Sequence, residues 1–314
     1  MNNILEYVII AVVALIAVPF LYWVGFRFLP RPVAPELEPT DPLKQEPLSE
    51  NLPAPLKRFF QMAYGEKVPL PATATAWGNG RIVVRYMGKL GPLWAPFRWA
   101  LYLVPGKEFV MRTTITWFSR RMLQGGDELR KGHGRFVMSK DELENANIDN
   151  SEWVMMWLFT IMASPSALIS NPEITFEEVE ENSVKVGVPF KQGERWYFTL
   201  NFDMDSGELR TIHTFRPASR DGRKIAYQLS LDSYLPVGIG TLAGSIGAAW
   251  ESDYFQYNDM TGVRYNIDIS EVMQAGASER YPSPPYEPEE KKEEVAQMEE
   301  KEEAAQVENQ AEES

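Results

Sequence analysis

Along most of this chain apolar residues recur at every second position, and one stretch breaks that period. Residues 151–169, SEWVMMWLFTIMASPSALI, are apolar on nearly every side, and the uninterrupted run 153–163 is too short to cross a bilayer. The pattern predicts a helix over 151–163 buried within protein. Before it, Ile82, Val84, Tyr86 and Leu90 alternate with Arg81, Arg85 and Lys89. The same period groups Phe97, Trp99, Leu101 and Leu103, then Phe109, Met111, Ile115 and Trp117. After it come Val184, Val186, Val188 and Phe190; then Trp196, Phe198, Leu200 and Phe202; then Ile225, Tyr227, Leu229 and Leu231. A last pair covers residues 250–257 and 263–269, linked through Thr261-Gly262. Turns are expected at Gly78-Asn79-Gly80, Pro105-Gly106, Gly125-Gly126-Asp127, Asp205-Ser206-Gly207 and Asp221-Gly222.

About nine to eleven strands, each apolar on one face and joined by short turns, predict an antiparallel meander with one buried side, and a sheet that wide must curl. The expected fold is mainly β with helices (α+β): a large curved antiparallel sheet or half-barrel wrapped on the buried helix. No repeat period stands out.

Ahead of this domain, residues 7–26 carry no charge and match the hydrocarbon thickness, which predicts a transmembrane helix within 4–29. Tyr22 and Trp23 suit the interfacial belt. A cleaved signal peptide is the rival reading, but the start MNNILE lacks a positive n-region and no small-x-small site follows. Arg27 and Arg31 just after the helix lean the domain toward the cytoplasmic side of the cell membrane. Prolines recur through 30–50, predicting an extended spacer that holds the domain off the membrane. At Pro55 an amphipathic helix should open the domain, with Leu56, Phe59, Phe60 and Ala63 on one face and Gly65 as its stop. The β domain is placed at 51–273, followed over 274–314 by a proline-rich spacer and an acidic disordered tail.

Charge changes this picture little. The formal net charge is -13, but residues 287–314 hold twelve Glu and three Lys, so most of it belongs to the tail. The mildly acidic remainder argues against a nucleic-acid partner. The absence of cysteine excludes disulfides, thiolate metal sites and a cysteine nucleophile.

The runs Leu52-Pro53-Ala54-Pro55-Leu56-Lys57-Arg58-Phe59 and Ser164-Pro165-Ser166-Ala167-Leu168, with Trp250, Asp253-Tyr254 and Gly262-Val263-Arg264, resemble a family of functionally uncharacterised bacterial membrane proteins. The resemblance covers residues 51–269 and implies no activity or catalytic residue. The stretch YLPVGIGTLAGSIGAAW before residue 251 departs from that pattern in length and glycine content. In architecture the curved sheet is similar to the half-barrels of lipoprotein-carrier proteins, an analogy of shape alone.

Candidate chemistry is thin. Gly125-Gly126-Asp127-Glu128-Leu129 looks like the loop of diguanylate cyclases, but strands rather than alternating strands and helices precede it. Gly238-Ile239-Gly240-Thr241-Leu242-Ala243 fits a dinucleotide fingerprint in letters only, and a flexible loop or membrane-facing lid is the expectation there. The overlapping Ala243-Gly244-Ser245-Ile246-Gly247 lacks the later histidine that a nucleophile elbow needs. With only His133 and His213, no multi-histidine metal site can form. His133 reads as a turn residue, and His213 as partly buried on a face shared with Leu209 and Phe215. Asp203 with Asp205 and Glu251 with Asp253 read as solvated pairs. No catalytic residue, metal or cofactor is assigned.

Two groups remain. Trp99, Trp117, Trp153, Trp157, Trp196 and Phe198 would line an apolar ligand cavity in the concave face, or simply fill it as core. Arg120, Arg121, Arg130, Lys131 and Arg135 would form a cationic patch for anionic headgroups or for the acidic tail. The leading reading is a membrane-tethered, non-enzymatic binding module for an apolar or lipid-like ligand, or for a membrane-associated partner. The alternative is a scaffold recruiting protein partners through its acidic tail or basic patch.

Overall fold

The computed structural model describes residues 2–84, 93–138 and 141–277. An apolar helix, α1 (Asn2–Gly25), opens the chain. Strand β1 (Lys44–Pro47), helix α2 (Ala54–Tyr64) and strand β2 (Lys67–Leu70) follow, β1 pairing with β2. Six strands come next: β3 (Ala74–Val84), β4 (Leu93–Val104), β5 (Glu108–Trp117), β6 (Arg120–Arg130), β7 (His133–Met138) and β8 (Asp141–Leu143). Helix α3 (Ala146–Ala163) and the single turn α4 (Ala167–Ser170) interrupt them. Seven strands complete the sheet: β9 (Thr175–Glu180), β10 (Ser183–Pro189), β11 (Arg195–Phe202), β12 (Leu209–Pro217), β13 (Lys224–Val237), β14 (Gly240–Trp250) and β15 (Asp253–Tyr265), before a short α5 (Ser270–Ala275).

All thirteen strands β3–β15 form one open antiparallel sheet, ordered β8-β7-β6-β5-β4-β3-β15-β14-β13-β12-β11-β10-β9. Two meanders therefore meet where β3 pairs with β15, and α3 joins the two far edges. The count exceeds the periodicity estimate because the edge strands carry no apolar alternation: β8 is three residues long, and β9 exposes Glu177, Glu178 and Glu180. Such charged or short edges discourage pairing with other chains.

α3 starts at Ala146 rather than Ser151. The Asn145 side chain accepts from the Asn147 and Ile148 amides at 2.9 and 3.0 Å, a cap placed five residues ahead of the apolar run. Residues on every side of the helix are buried, Val154, Leu158 and Thr160 completely. It touches β3, β4, β6 and β7 from one meander and β12 and β14 from the other, so both halves of the sheet turn toward one helix. The Thr160 hydroxyl accepts from the Gly106 amide at 3.0 Å, and Tyr265 donates to the Ala163 carbonyl at 2.9 Å. α2 buries Leu56, Phe59, Phe60 and Ala63 against β10, β11 and β14, with Gly65 at positive φ as its stop.

Several expected turns lie inside strands. Gly78 and Gly80 sit in β3 opposite Trp99 and Phe97, where a side chain would press on those rings. Gly125 and Gly126 lie in β6, and Ala277 packs over Gly126. Thr261 is the extra residue of a β-bulge that lets β15 run on, and Val263 and Tyr265 beyond it are buried. The expected loop around residue 240 is the β13–β14 hairpin, turning at Gly238-Ile239. In β3 and β6 the glycines, and in β15 the bulge, interrupt the period that an apolar count looks for.

The spacer does not hold the domain away from α1. Thr40 donates its amide to the Asn266 carbonyl at 2.7 Å, Arg264 reaches the Pro35 carbonyl at 3.2 Å, and Asn79 reaches the Pro30 carbonyl at 2.9 Å. The end of α1 is held too. Arg81 donates to the Phe26 and Arg27 carbonyls at 2.9 Å each, the Phe118 amide to Gly25, and the Trp117 indole to Tyr22 at 3.1 Å. Carbonyls at a helix end need such donors, and the domain supplies them. The expected strand through Leu90 is described only to Val84, and the spacer and acidic tail lie outside the described residues from 278 onward.

Because Leu158 is enclosed on every side, Leu158→Ala should lower the stability of the full chain by about 2–5 kcal/mol. Urea unfolding followed by tryptophan fluorescence measures it; a loss below about 1 kcal/mol would show that α3 is not the packed centre.

Candidate functional site

The inner face of the sheet is not wholly filled. A cavity of about 520 Å³ lies between it and one side of α3. Ile148, Glu152, Met155, Phe159 and Met162 line it at helical spacing. Phe97, Trp99 and Leu101 of β4, Met111 of β5 and Ile246, Ala248 and Trp250 of β14 form much of the opposite wall. β14 leaves room for the hollow at Ala248, between Ile246 and Trp250, where a larger residue would have reached toward the helix. Its size is that of a small-molecule site.

One part of the wall is charged. On β12, Asn201 pairs with Thr211 but Phe202 with Leu209, so Arg210 is a bulge that reverses the alternation beyond it. Ile212 and Thr214 therefore face inward, and Arg216 points into the cavity. Its Nε donates to Ser151 Oγ at 2.8 Å and its Nη2 to Glu152 Oε1 at 3.1 Å, while its guanidinium lies 5.4 Å from the ring centroids of both Tyr227 and Trp250. Asp127, opposite Met111 on β6, enters from the other meander.

Electrostatics link these groups. Burial and then the negative charge of Asp127 push Glu152 up to about 8, against the partial opposition of Arg216 and Ser151. Burial likewise raises Asp127, although Arg216 pulls it down. Two carboxyls beside one guanidinium cannot both ionise cheaply in an apolar wall, so near neutrality the pair holds a proton. Burial also keeps the Tyr227 phenol protonated.

Of the aromatic residues expected in a pocket, only Trp99 lines this one. Trp153 and Trp157 leave α3 on another side. Trp153 meets Phe190 at 4.8 Å, Phe190 meets Trp196 at 5.0 Å, and Phe198 is fully buried beside them, so these rings are packed core. Trp117 ends β5, at the rim, and lies against α1.

The basic cluster is not one patch. Arg120 and Arg121 stand at one end of β6 and Arg130 and Lys131 at the other, separated by about 3.3 Å per residue of extended strand. Arg130 and Arg135 both bind Glu128, at 2.7 and 2.8 Å. Arg130 also holds the Met273 carbonyl, Arg112 the Gly276 carbonyl, and Glu128 the Ala277 amide, so the group fastens α5 to the sheet. Lys131 is exposed at a turn. The bulge at Arg210 also turns His213 outward with Phe215, away from Leu209. Asp203 caps its turn by accepting from the Asp205 and Ser206 amides. Among the described residues, no three His, Asp or Glu side chains gather to hold a metal.

An acid whose folded-state pKa exceeds its unfolded value binds more protons when folded, so stability falls as pH rises between the two values. Glu152, with Asp127 in the same direction, should make the chain less stable on going from about pH 5 to pH 8. The expected loss is on the order of 1–3 kcal/mol, and Glu152→Gln should flatten most of it. Urea midpoints across that range measure the effect, and a profile unchanged by the substitution would contradict it.

Comparison with known proteins adds a family. Among solved structures the chain is similar to a LolA superfamily protein from Nitrosomonas europaea, at 9% identity and TM-score 0.37 over 68% of this chain and 92% of that one. It is similar to a putative outer membrane lipoprotein-sorting protein domain from Vibrio parahaemolyticus, at 8% identity and TM-score 0.35 over 62% and 85%. A DUF1329 family protein from Desulfovibrio piger gives 9% identity and TM-score 0.37 over 64% and 88%. Curated proteins gave no match. A family model matches residues 42–260, close to the range on which the sequence resemblance rested, and the chain belongs to that family, DUF6544, a family of unknown function.

Proposed function

We propose that this chain is a membrane-tethered, non-enzymatic module that holds an apolar or lipid-like ligand between α3 and the concave face of its sheet. The observation that carries this reading is the cavity of about 520 Å³, walled by Phe97, Trp99, Met111, Met155, Phe159 and Ile246. Apolar walls at this scale favour an apolar guest through area removed from water. Catalysis finds less support: the Ser151 hydroxyl is engaged by Arg216, and the two acids face a cation rather than a nucleophile.

The tether is α1, long and apolar enough over Glu6–Gly25 to cross a membrane. Its last turn accepts from the Trp117 indole and Arg81 holds the Phe26 carbonyl just beyond it, which would bring the β5–β6 turn to the level of Tyr22 and Trp23, residues suited to a membrane interface. Arg27, stacked 4.3 Å over Trp23, and the exposed Arg120 and Arg121 would then meet lipid headgroups.

Native mass spectrometry of the full chain purified from membranes should show a co-purifying apolar molecule, lost in Ala248→Trp, which fills the hollow. A chain that carries nothing and takes up no added lipid or alkyl probe would sink the binding reading. The tether can be tested through the absence of native cysteine. A polarity-sensitive dye on Met122→Cys, in the β5–β6 turn region, should shift to the blue in lipid nanodiscs, while the same dye on Met204→Cys should stay water-like. Matching spectra at the two sites would refute the placement.

A further inference from the structure

The cavity wall is mostly apolar, its uncharged polar members including Thr113, Ser219 and the mutually bonded Gln256 and Asn258, and its charges gather where Asp127, Glu152 and Arg216 meet, a pole with a definite chemical preference. Arg216 is already paired with an anion: its Nη2 donates to Glu152 and its Nε to Ser151, and its guanidinium stands 5.4 Å from the ring centroids of Tyr227 and Trp250. The two carboxyls would repel a further one. They are better acceptors than the protein fills. Glu152 Oε2 is buried with no hydrogen-bond partner, and Asp127 lines the same cavity close enough to raise the Glu152 carboxyl by its charge. Buried acceptors left open in apolar surroundings cost free energy, more so when charged.

We propose that this pole seats the protonated amine of an amphiphile whose alkyl part lies along Trp99, Met155 and Phe159. The inference rests on the cavity-binding reading above and adds the chemical class of the ligand. An ammonium has three donors and no acceptor, so it can serve Glu152 and Asp127 together and replace the proton they share. It also balances the site, since two carboxylates and one guanidinium leave a single negative charge. A hydroxyl brings one donor and no charge, and a carboxylate brings no donor and a further negative charge. The preference should therefore run amine, then alcohol, then acid. The groups facing the seat are Ser151 and Glu152 from α3, Asp127 from β6, Arg216 from β12 and Tyr227 from β13.

The test titrates the full chain in lipid nanodiscs with octylamine, octanol and octanoate by calorimetry, subtracting empty nanodiscs. Octylamine should bind about tenfold or more tighter than octanol, with octanoate weakest. Asp127→Asn and Glu152→Gln should each erase most of that margin, bringing octylamine down toward octanol. Should neither variant fold, the unaltered chain still decides: octylamine affinity should fall as pH drops from about 8 to 5, because protons compete for the same carboxyls, while octanol affinity stays level. Equal binding of amine and alcohol, or identical pH profiles, overturns the amine seat and leaves the apolar cavity standing. Binding of none of the three probes overturns both.

Discussion

α3 has no polar stripe, and that one constraint shapes the rest of the domain. A helix buried on every side must be enclosed, and a single flat sheet can cover only one face of it. The chain meets this requirement by sending two meanders outward from α3 in sequence and bringing them together at β3 and β15. That pairing joins segments that lie far apart in the chain, Ala74 with Tyr265 for example, so its loop closure comes with a large entropic cost. Tyr265 does double duty there, its hydroxyl holding the carbonyl of Ala163 at the end of α3. The helix and the seam between the meanders are therefore stabilised by the same residue.

Enclosure does not require complete filling. On one side α3 presents Trp153, Trp157 and Leu158 to bulky neighbours and the core closes tightly. On another it presents Ile148, Met155 and Met162 across from Ile246, Ala248 and Trp250 of β14, and a hollow remains. Into that hollow the fold puts an arginine and two acids. Breaking a buried ion pair by deleting one partner costs several kcal/mol, whereas an apolar replacement of all members is often harmless. Charged residues kept in such a wall are costly as structure alone, which is the physical reason to look there for a ligand contact.

The broad architecture was legible in the alternation of side chains, and the functional wall was not. Phe97, Trp99, Leu101 and Leu103 are buried together as their spacing required, and α2 follows its apolar face from Leu56 to Ala63. Arg216 was hidden by the bulge at Arg210: counted from Leu209 at a period of two, it falls on the solvent face. Asp127 was hidden by two glycines that imitate a turn, although they sit mid-strand where neighbours leave no room for a side chain. Glu152 was the readable one. As the single acid of the apolar run 151–163, it has to find a partner once buried, and the structure supplies Arg216.

The positions of α1 and the cavity are coupled through register. Arg81, which holds the carbonyls at the end of α1, is followed by Ile82, a cavity residue. Phe97, also in the wall, pairs with Ile115, two residues before Trp117 and its bond to Tyr22. The end of α1 and the hollow thus lie toward the same end of these strands. The other end is occupied by α2, where Phe59 packs on Phe202 at 5.7 Å and Tyr64 lies over Gly240. The register of β3, β4 and β5 therefore fixes α1 and the cavity wall together, and a change that shifts one of these strands would move both.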